Sequence, residues 1–594
     1  MKKFIKSTAI LMLLAAMAIT ACAPKKEPQI PPIVTLPTTA QVEITVPSET
    51  TKPEEAPAPH IEGTTAKKNN DIVILATSDV HCCPQKGFGY AGLYRIREKF
   101  LKQGCEVLLV DDGDEIEGHG ELFGTVTQGE QVVELMNKMG YDVAIPGNHD
   151  FNYGPDRFME LTKKANYPYL SCNIYKYHKL LLQPYIIKEV SGKKIAFVGM
   201  TTPRTLGYYT SLALFQDADG NVIYDFKGGN KNKKLVSTIQ STVNAARAAG
   251  ADYVVAMTHF GQAKKYKAHD EITYIIQKTQ GIDVFLDGHS HDNRKFEVVN
   301  AAGKSIQRIA MGSKFSRIGY VRISGTDGSI ETGIYHWNNS VSIPDLFGIE
   351  NEMSEEVDKA LKKYNATFNA KQGTVSNQLV LHDPEKKDKN GNPINKNIRG
   401  ETNLGDLAAD AFRAATGADV AIIPGDKFKR ALGPGDVKLK DCYNTLPSSK
   451  KIIAVNATGQ QILDALEWGC RTYPDGNKAF PQVSGITFHI DTKTKNPCKI
   501  KKGNFKEVKG KRRISNVKIN GVPIDASKTY KVASYISMLK DSGNGYTMFM
   551  NCKRVKSDGR LDFQILADYI RTNLKGNVGK EYADPNGQKR ITAS

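Results

Sequence analysis

The sequence lacks the features that define several protein classes. Its nine cysteines in 594 residues show no spacing typical of a disulfide framework, so it is not a small cross-linked secreted domain. It has no zinc-finger motif, no RNA-binding motif and no internal repeat, and so gives no sign of a dedicated nucleic-acid partner or of a solenoid. The apolar run at residues 8–19 is short for a membrane span.

Acidic residues are also in the minority. They number 63 against 81 lysines and arginines, which gives a formal net charge of +18. A basic surface attracts anions at long range, and phosphorylated small molecules, nucleic acids and anionic lipids would all fit. Because the lysines are scattered and no recognition motif accompanies them, we expect no dedicated nucleic-acid partner. A chain of 594 residues exceeds what one core usually supports, so we expect two globular domains.

The amino terminus has the organisation of a bacterial export signal. The apolar run at residues 8–19 follows a short basic segment and ends at Ile19-Thr20-Ala21-Cys22. This ending resembles the lipobox of bacterial lipoproteins, which implies a signal peptide over residues 1–22, cleavage before Cys22 and lipid attached to that residue. The protein would then be extracytoplasmic and anchored to a bacterial membrane, at the cell surface or in the periplasm. The alternative is an ordinary secreted protein with an incidental cysteine.

The next segments predict a tether and two α/β domains. Residues 23–70 are rich in Pro, Thr, Glu and Lys and nearly free of aromatics, which predicts a disordered tether. Apolar strands then alternate with helical stretches over residues 71–345, which is typical of an α/β domain, with later strands that look antiparallel. A polar stretch without breakers predicts a linker helix at 346–371, and residues 372–594 mix helices and strands in a second α/β domain.

Five short blocks of polar residues carry the chemistry. Each ends or follows an apolar run that we interpret as a strand: Asp79-Val80-His81, Gly113-Asp114, Gly147-Asn148-His149-Asp150, His259 and Gly288-His289-Ser290-His291. Strand ends in an open α/β sheet converge on one edge, where ligands usually bind. Asp, His and Asn are donors that suit Mn, Zn, Fe, Mg or Co. The pattern therefore predicts a site for two divalent metal ions.

Seven residues are the predicted metal ligands: Asp79, His81, Asp114, Asn148, His259, His289 and His291. Two cations a few ångströms apart need a bridging carboxylate, and Asp114, which directly follows Gly113 in a tight turn, is the candidate. Any single histidine here would more often be an ordinary hydrogen-bonded residue; the ordered set indicates a metal site. The non-enzyme alternative is a ligand-binding surface lipoprotein with a vestigial metal site.

In this order the blocks resemble the calcineurin-like metallophosphoesterase superfamily, and more narrowly the bacterial 5′-nucleotidases, UDP-sugar hydrolases and 2′,3′-cyclic-nucleotide phosphodiesterases. The resemblance implies a four-layer αββα sandwich followed by a 5′-nucleotidase-type substrate domain. It implies that one metal is held by Asp79, His81, Asp114 and His291, and the other by Asp114, Asn148, His259 and His289. It also implies that His149 is not a ligand but a proton donor to the phosphate or the leaving group.

The expected chemistry is hydrolysis of a phosphoester. A water shared by two cations loses a proton near neutral pH and would attack phosphorus in line, while His149 protonates the departing oxygen. Typical 5′-nucleotidases carry Asp where Asn152 stands, and that Asp pairs with the catalytic histidine. The Asn variant resembles the cyclic-phosphodiesterase and 3′-nucleotidase branch, although Asp150 could compensate for the missing charge.

The second domain resembles the nucleotide-binding domain of the same relatives. The similarity lies in Gly400–Asp410, Phe480–Gly485 and Ser542–Tyr546, and it implies that Arg430, Phe480 and Met538 bind substrate. Two aromatic rings clamp the base in relatives, and here the second position is the non-planar Met538. We therefore predict a monomeric nucleotide phosphohydrolase, a 5′-nucleotidase above all. A cyclic-nucleotide phosphodiesterase with 3′-nucleotidase activity, or an enzyme for another phosphoester, is the alternative.

Overall fold

The computed structural model describes residues 69–117, 122–228, 233–262, 272–337, 350–387, 391, 393–555 and 559–594. The predicted signal peptide, Cys22 and nearly all of the predicted tether lie outside the described residues, so these stay predictions. Among the helices in the described ranges, none combines the length and the apolar composition that crossing a bilayer requires.

The N-terminal domain contains two mixed sheets and a small third one. Its strands are β1 (Ile72–Thr77), β2 (Glu106–Asp111), β3 (Val143–Ala144), β4 (Ile174–Lys176), β5 (Lys179–Leu180), β6 (Tyr185–Val190), β7 (Lys193–Thr201), β8 (Tyr224–Phe226), β9 (Tyr253–His259), β10 (Val284–Asp287), β11 (Lys295–Val299), β12 (Ser305–Ala310), β13 (Arg317–Ile323) and β14 (Ile330–His336). The strand orders are β14-β13-β1-β2-β3, β11-β12-β10-β9-β7-β6 and β5-β4-β8.

Helices cover the outer faces of the two large sheets. They are α1 (Gly89–Lys102), α2 (Leu122–Thr127), α3 (Glu130–Met139), α4 (Pro155–Thr162), α5 (Lys233–Ala248) and α6 (Ile272–Lys278). Strand β1 shows the layering, because Ile72 and Ile74 pack between the sheets whereas Val73 and Leu75 face the α1 side. On the second sheet, β7 packs against α5. The four-layer αββα sandwich that the sequence resemblance implied is confirmed.

A single long helix joins the two domains. Helix α7 (Glu352–Asn369) lies within the predicted linker range and begins with a capping box, in which Asn351 accepts from the Ser354 amide and the Ser354 hydroxyl accepts from the Asn351 amide. It contacts α1, α2 and α3 on one side and α9 (Leu439–Thr445) on the other. The linker therefore packs against both domains along its length.

The C-terminal domain is a second α/β unit. Its helices besides α9 are α8 (Asn403–Thr416), α10 (Gly459–Gly469), α11 (Ile536–Lys540) and α12 (Asp562–Asp568). Its strands are β15 (Lys371–Val375), β16 (His382–Lys387), β17 (Pro393–Asn395), β18 (Val420–Pro424), β19 (Gly435–Lys438), β20 (Ile452–Thr458), β21 (Pro481–Ser484), β22 (Ile486–Ile490), β23 (Cys498–Lys501), β24 (Asn504–Val508), β25 (Ile514–Ile519), β26 (Val522–Pro523), β27 (Thr529–Tyr535), β28 (Lys553–Val555), β29 (Asn577–Val578) and β30 (Ile591–Ala593). The central sheet has the order β21-β18-β27-β20-β28, and α8, capped by Thr402, packs on it.

The cysteines form no cross-links in the described part of the chain. Eight of them are buried free thiols, among them the adjacent Cys82 and Cys83 beside the first polar block. The Cys82 thiol donates to the Ile116 carbonyl oxygen over 2.9 Å. These thiols therefore contribute to packing and to local hydrogen bonds.

Candidate metal centre

The polar blocks meet at the ends of β1, β2, β9 and β10. Five of the predicted ligands there have a positive φ angle, between 51° and 76°: Asp79, His81, Asp114, His289 and His291. Residues with side chains rarely adopt this backbone region, and such strain is concentrated at functional sites. Gly113 allows a close approach of two turns, since a Cβ there would lie 2.4 Å from the Gly147 nitrogen. The turns thus hold short side chains at one edge of both sheets.

Three ligands form a first group. Ligand atoms of Asp79, His81 and His291 all lie within 4.8 Å of one another. The Nε2 atoms of the two histidines are 3.1 Å apart, and His291 Nε2 is 3.3 Å from a carboxylate oxygen of Asp79. His81 Nδ1 is 3.0 Å from the carbonyl oxygen of Glu117, an acceptor, so Nδ1 carries the proton and Nε2 presents its lone pair. This donor arrangement fits a cation.

A second group lies next to the first. Ligand atoms of Asp114, His259 and His289 again lie within 4.8 Å of one another. His259 Nδ1 is 2.7 Å from the Asp112 carbonyl oxygen, and its Nε2 is 3.0 Å from Asp114. The Tyr209 hydroxyl contacts His289 Nε2 at 2.9 Å, which leaves Nδ1 of that ring to face the group.

The seventh predicted ligand has an unmet hydrogen-bonding requirement. The side-chain oxygen of Asn148 is buried and accepts no hydrogen bond from any residue that the structure describes. Such an atom costs free energy unless something else satisfies it, and a divalent cation would do so. The two groups contain six of the seven predicted ligands, divided as the sequence resemblance implied, while the bridging role of Asp114 and the ligand role of Asn148 stay predictions.

Charge compensation keeps this buried cluster competent to bind metal. Burial opposes ionisation of Asp114, but the neighbouring His259 outweighs it and holds the pKa of Asp114 below its usual value. Burial lowers the pKa of His289 to about 4, so this imidazole is neutral, the form that binds metals. Burial lowers the pKa of His259, but the charges of Asp114 and Asp79 outweigh it and raise this pKa above its ordinary value, so a metal ion that binds this ring displaces a proton. Carboxylates and imidazoles together are the donor set that first-row divalent metals prefer.

A buried ion pair fixes the strands that carry His259 and His289. The Arg308 guanidinium, fully buried, donates to Asp287 at 2.7 and 3.1 Å. The other oxygen of Asp287 accepts from the amides of Phe260 and Gly261 at 3.0 and 3.1 Å. Asp287 thereby ties the end of β10 to the turn that follows β9, and the sequence alone carried no sign of this role.

His149 stands beside the metal ligands but is held by a different set of contacts. Its Nδ1 is 2.9 Å from Nδ2 of Asn152 and 3.3 Å from Oε2 of Glu117. Asn152 Nδ2 also lies 3.1 Å from Glu117, and Asn152 Oδ1 accepts from the Thr210 hydroxyl. Burial lowers the pKa of His149, but the hydrogen bond to Glu117 and the charge of Asp114 outweigh it, so this pKa lies above its ordinary value.

The hypothesis that Asp150 replaces the missing charge is wrong. Its carboxylate accepts hydrogen bonds from the backbone amides of Asp114, Ile116 and Gly147 at 2.7–2.9 Å, so it stabilises the turns and not the imidazole. Glu117 provides the carboxylate instead. Sequence reasoning missed it because no motif marks the third residue after Asp114, and only the fold brings it to His149.

The three residues expected to bind substrate do not form a cluster like that of the predicted metal ligands. Phe480 and Met538 are both 0% exposed, and Phe480 stacks on Tyr473 with ring centroids 6.1 Å apart. Neither side chain presents a face to a ligand in this conformation, because the core of the C-terminal domain covers both. Arg430 is exposed in the loop after β18. A base clamp of Phe480 and Met538 is therefore absent from this arrangement.

A cavity of about 370 Å³ opens beside Asn152 instead, with walls from both domains. The N-terminal domain contributes the loop that contains Tyr208, Tyr209 and Ser211, and the C-terminal domain contributes residues that include Lys450, Lys451 and Asp541. The Ser211 hydroxyl donates to Asp541 at 3.0 Å and closes one side. A volume of this size suits a small organic ligand.

The comparison with known families agrees with this architecture. Residues 72–293 match the calcineurin-like phosphoesterase family, and residues 373–551 match the 5′-nucleotidase C-terminal domain. The chain is a calcineurin-like phosphoesterase with a 5′-nucleotidase C-terminal domain. Such enzymes hydrolyse phosphoesters and use two divalent metal ions, which confirms the predicted enzyme class and cofactors.

Individual relatives of this phosphoesterase are distant. The trifunctional nucleotide phosphoesterase protein YfkN of Bacillus subtilis is 25% identical over 84% of the chain, which spans only 34% of that protein. Protein UshA of Escherichia coli is 23% identical over 88% of the chain and 94% of its own length. A Staphylococcus aureus crystal structure assigned as a 5′-nucleotidase, with α-ketoglutarate bound, has a TM-score of 0.51 at 17% identity and covers 88% of this chain and 100% of its own; it supports the fold alone.

Proposed function

We propose that this phosphoesterase hydrolyses nucleotide phosphoesters, above all 5′-nucleotides, at two divalent cations held by the six residues of the two groups and by Asn148. The observation that carries the proposal is the clustering of six of these donors in two neighbouring groups. Two residues that contact this centre, Tyr209 beside His289 and Asn152 beside His149, also line the cavity with walls from both domains. When bound, the cations would activate water and withdraw charge from the phosphate oxygens. Relatives named as nucleotide phosphoesterase and 5′-nucleotidase support the substrate class.

The protein's own residues orient the reaction and manage one proton. Because Nδ1 of His149 faces Glu117 and Asn152, the proton for the leaving oxygen comes from Nε2 on the other side of the ring. As the bond between phosphorus and the leaving oxygen breaks, that oxygen takes the proton and departs as an alcohol, while the oxygen of water remains on phosphorus. Lys450 and Lys451 provide positive charge at the wall of the cavity.

Two observations favour a second candidate. Asn152 stands where typical 5′-nucleotidases have Asp, and the predicted base clamp at Phe480 and Met538 is buried. Both features are compatible with a 2′,3′-cyclic-nucleotide phosphodiesterase that also acts on 3′-nucleotides. We further propose that the enzyme works outside the cytoplasm on a lipid anchor at Cys22, which rests on the amino-terminal sequence pattern.

A substrate panel separates these candidates. The purified protein, loaded with Mn²⁺, is assayed on AMP, 3′-AMP, 2′,3′-cyclic AMP, UDP-glucose, glucose 6-phosphate and 4-nitrophenyl phosphate, with products separated by chromatography. We expect the highest kcat/KM on AMP and a loss of about 10²–10⁴-fold in His149→Asn. A preference for 2′,3′-cyclic AMP would favour the second candidate. Turnover of the aryl phosphate alone would refute the nucleotide assignment.

A further inference from the structure

Glu117 is the carboxylate that faces the imidazole of His149. Its Oε2 atom is 3.3 Å from Nδ1 of that ring, and its side chain is only 12% exposed. Asn152 contacts both residues, and its Nδ2 donates to the same Oε2 atom over 3.1 Å. The Thr210 hydroxyl donates to Oδ1 of Asn152 over 3.2 Å, and this fixes which end of the amide points at Glu117.

The two neighbours of Nδ1 serve different forms of the ring. Nδ2 of Asn152 is only a donor, so it can bond to Nδ1 only when that nitrogen has no proton. The Glu117 carboxylate is only an acceptor, so it can bond to Nδ1 only when that nitrogen carries one. After Nε2 has given its proton to the leaving oxygen, the remaining proton of the imidazole is on Nδ1. The Glu117 carboxylate is an acceptor within reach of that proton.

We propose that Glu117 is a positioning residue that accepts the hydrogen bond of the Nδ1–H group of His149 and so holds the ring with Nε2 toward the leaving group. The proposal rests on the proposed role of His149. Glu117 itself does not touch the substrate; it acts through the imidazole. The amide of Asn152 has no charge. Glu117, in the β2–α2 loop, supplies the negative charge beside His149 instead.

Two aryl phosphates test the role without any nucleotide. Phenyl phosphate has a poor leaving group that needs a proton, whereas 4-nitrophenyl phosphate has one that leaves without it. We expect Glu117→Gln to lower kcat on phenyl phosphate by at least about tenfold, a part of the 10²–10⁴ that a general acid supplies, and to change kcat on 4-nitrophenyl phosphate far less. Glu160→Gln, which removes an exposed carboxylate on α4 that pairs with Arg157, is the charge-matched control and should change neither rate.

Rescue distinguishes positioning from general support of the fold. Asparagine and aspartate have the same shape, so Asn152→Asp places a carboxylate about 2.9 Å from Nδ1. We expect the double variant E117Q/N152D to recover most of the phenyl phosphate rate. A proton spectrum gives a readout independent of turnover: the downfield Nδ1 proton of His149 should be missing in E117Q and in His149→Asn and return in the double variant.

Several results would overturn the assignment. They are an equal loss on both aryl phosphates, no rescue by Asn152→Asp, or an unchanged downfield proton in E117Q. If E117Q unfolds or loses metal, Glu117→Asp is tested in its place. This variant keeps the negative charge, but its side chain is one methylene shorter, so kcat on phenyl phosphate should still fall more than kcat on 4-nitrophenyl phosphate. Failure of AMP to turn over would refute the nucleotide assignment and leave this test intact.

Discussion

The Nε2 atoms of His81 and His291 face each other at 3.1 Å, at the meeting point of two chain segments 210 residues apart. With the proton of His81 on Nδ1, where it donates to the Glu117 carbonyl oxygen, Nε2 offers a lone pair to whatever lies between the rings. A divalent cation is the partner that suits this pair together with Asp79. The metal site is therefore formed by contacts between segments distant in sequence.

We predict that His81→Ala removes one of the two metal ions. The variant loses a ligand of the first group and leaves the group of Asp114, His259 and His289 intact. Metal analysis after dialysis should give about one ion per chain instead of two. His336→Ala, which alters an exposed histidine at the end of β14, should retain both ions. Unchanged metal content in His81→Ala would contradict the ligand assignment.

Tyr209 should tune the second group without being a ligand. Its hydroxyl is 2.9 Å from His289 Nε2, and this contact orients the ring and leaves Nδ1 as the nitrogen that would bind a metal ion. Tyr209→Phe should weaken metal binding by about 10–100-fold, measured by competition with a chelator dye. Tyr208→Phe is the control, since its ring is 62% exposed. Equal affinities in the two variants would show that the hydroxyl has no role.

The ion pair of Arg308 with Asp287 should be a major source of stability for the N-terminal domain. Arg308→Met leaves Asp287 buried with an uncompensated charge, and removal of one partner of a buried pair costs about 3–5 kcal/mol. Urea unfolding of the metal-free protein measures the loss. Lys304→Met, which removes a 65% exposed lysine near Asp283, should stay within about 0.5 kcal/mol of the parent. A comparable loss in both variants would contradict the prediction.

Asp71, directly before β1, should make stability depend on pH. The Gly325 amide and Arg322 donate to its carboxylate, each over 2.8 Å, and these contacts lower its pKa. A lowered folded-state pKa means that the stabilisation is present above the unfolded value of about 3.9 and disappears as pH falls through the folded value. Asp71→Asn should therefore cost about 1 kcal/mol at pH 7, and the difference from the parent should shrink in acid.

Thermal and urea unfolding from pH 3 to pH 8 measure this difference. Asp358→Asn, at an exposed position on α7, serves as the control and should parallel the parent over the whole range. A difference between Asp71→Asn and the parent that stays constant below pH 4 would show that the Asp71 carboxylate is not responsible.

The order of the polar blocks made the fold predictable. Alternating apolar strands and helices, each strand followed by Asp, Asn or His, indicated an α/β domain, and the structure has strands at each of these places. The helix predicted over 346–371 is observed as α7, Glu352–Asn369. These features depend on local hydrophobic periodicity and on turns, which neighbouring residues determine.

The environment of the predicted substrate residues could not be predicted from the sequence. Phe480 and Met538 were placed by similarity of short segments, and such segments do not reveal whether a ring faces a cleft or a core. Both side chains are covered by elements that lie far from them in the chain. Burial of this kind depends on the packing of the whole domain and not on the local pattern.

By itself the sequence determined the two-domain α/β architecture and named seven donors, because strand ends place short polar side chains at one edge wherever the sheet forms. Only the tertiary structure decided that Glu117 faces His149, that the Tyr209 hydroxyl contacts His289, and that the Asp150 carboxylate accepts hydrogen bonds from backbone amides. Those contacts join loops whose lengths and directions no motif encodes. A carboxylate acquires its role from the atoms that the fold brings within about 3 Å, since hydrogen bonds act only at that range.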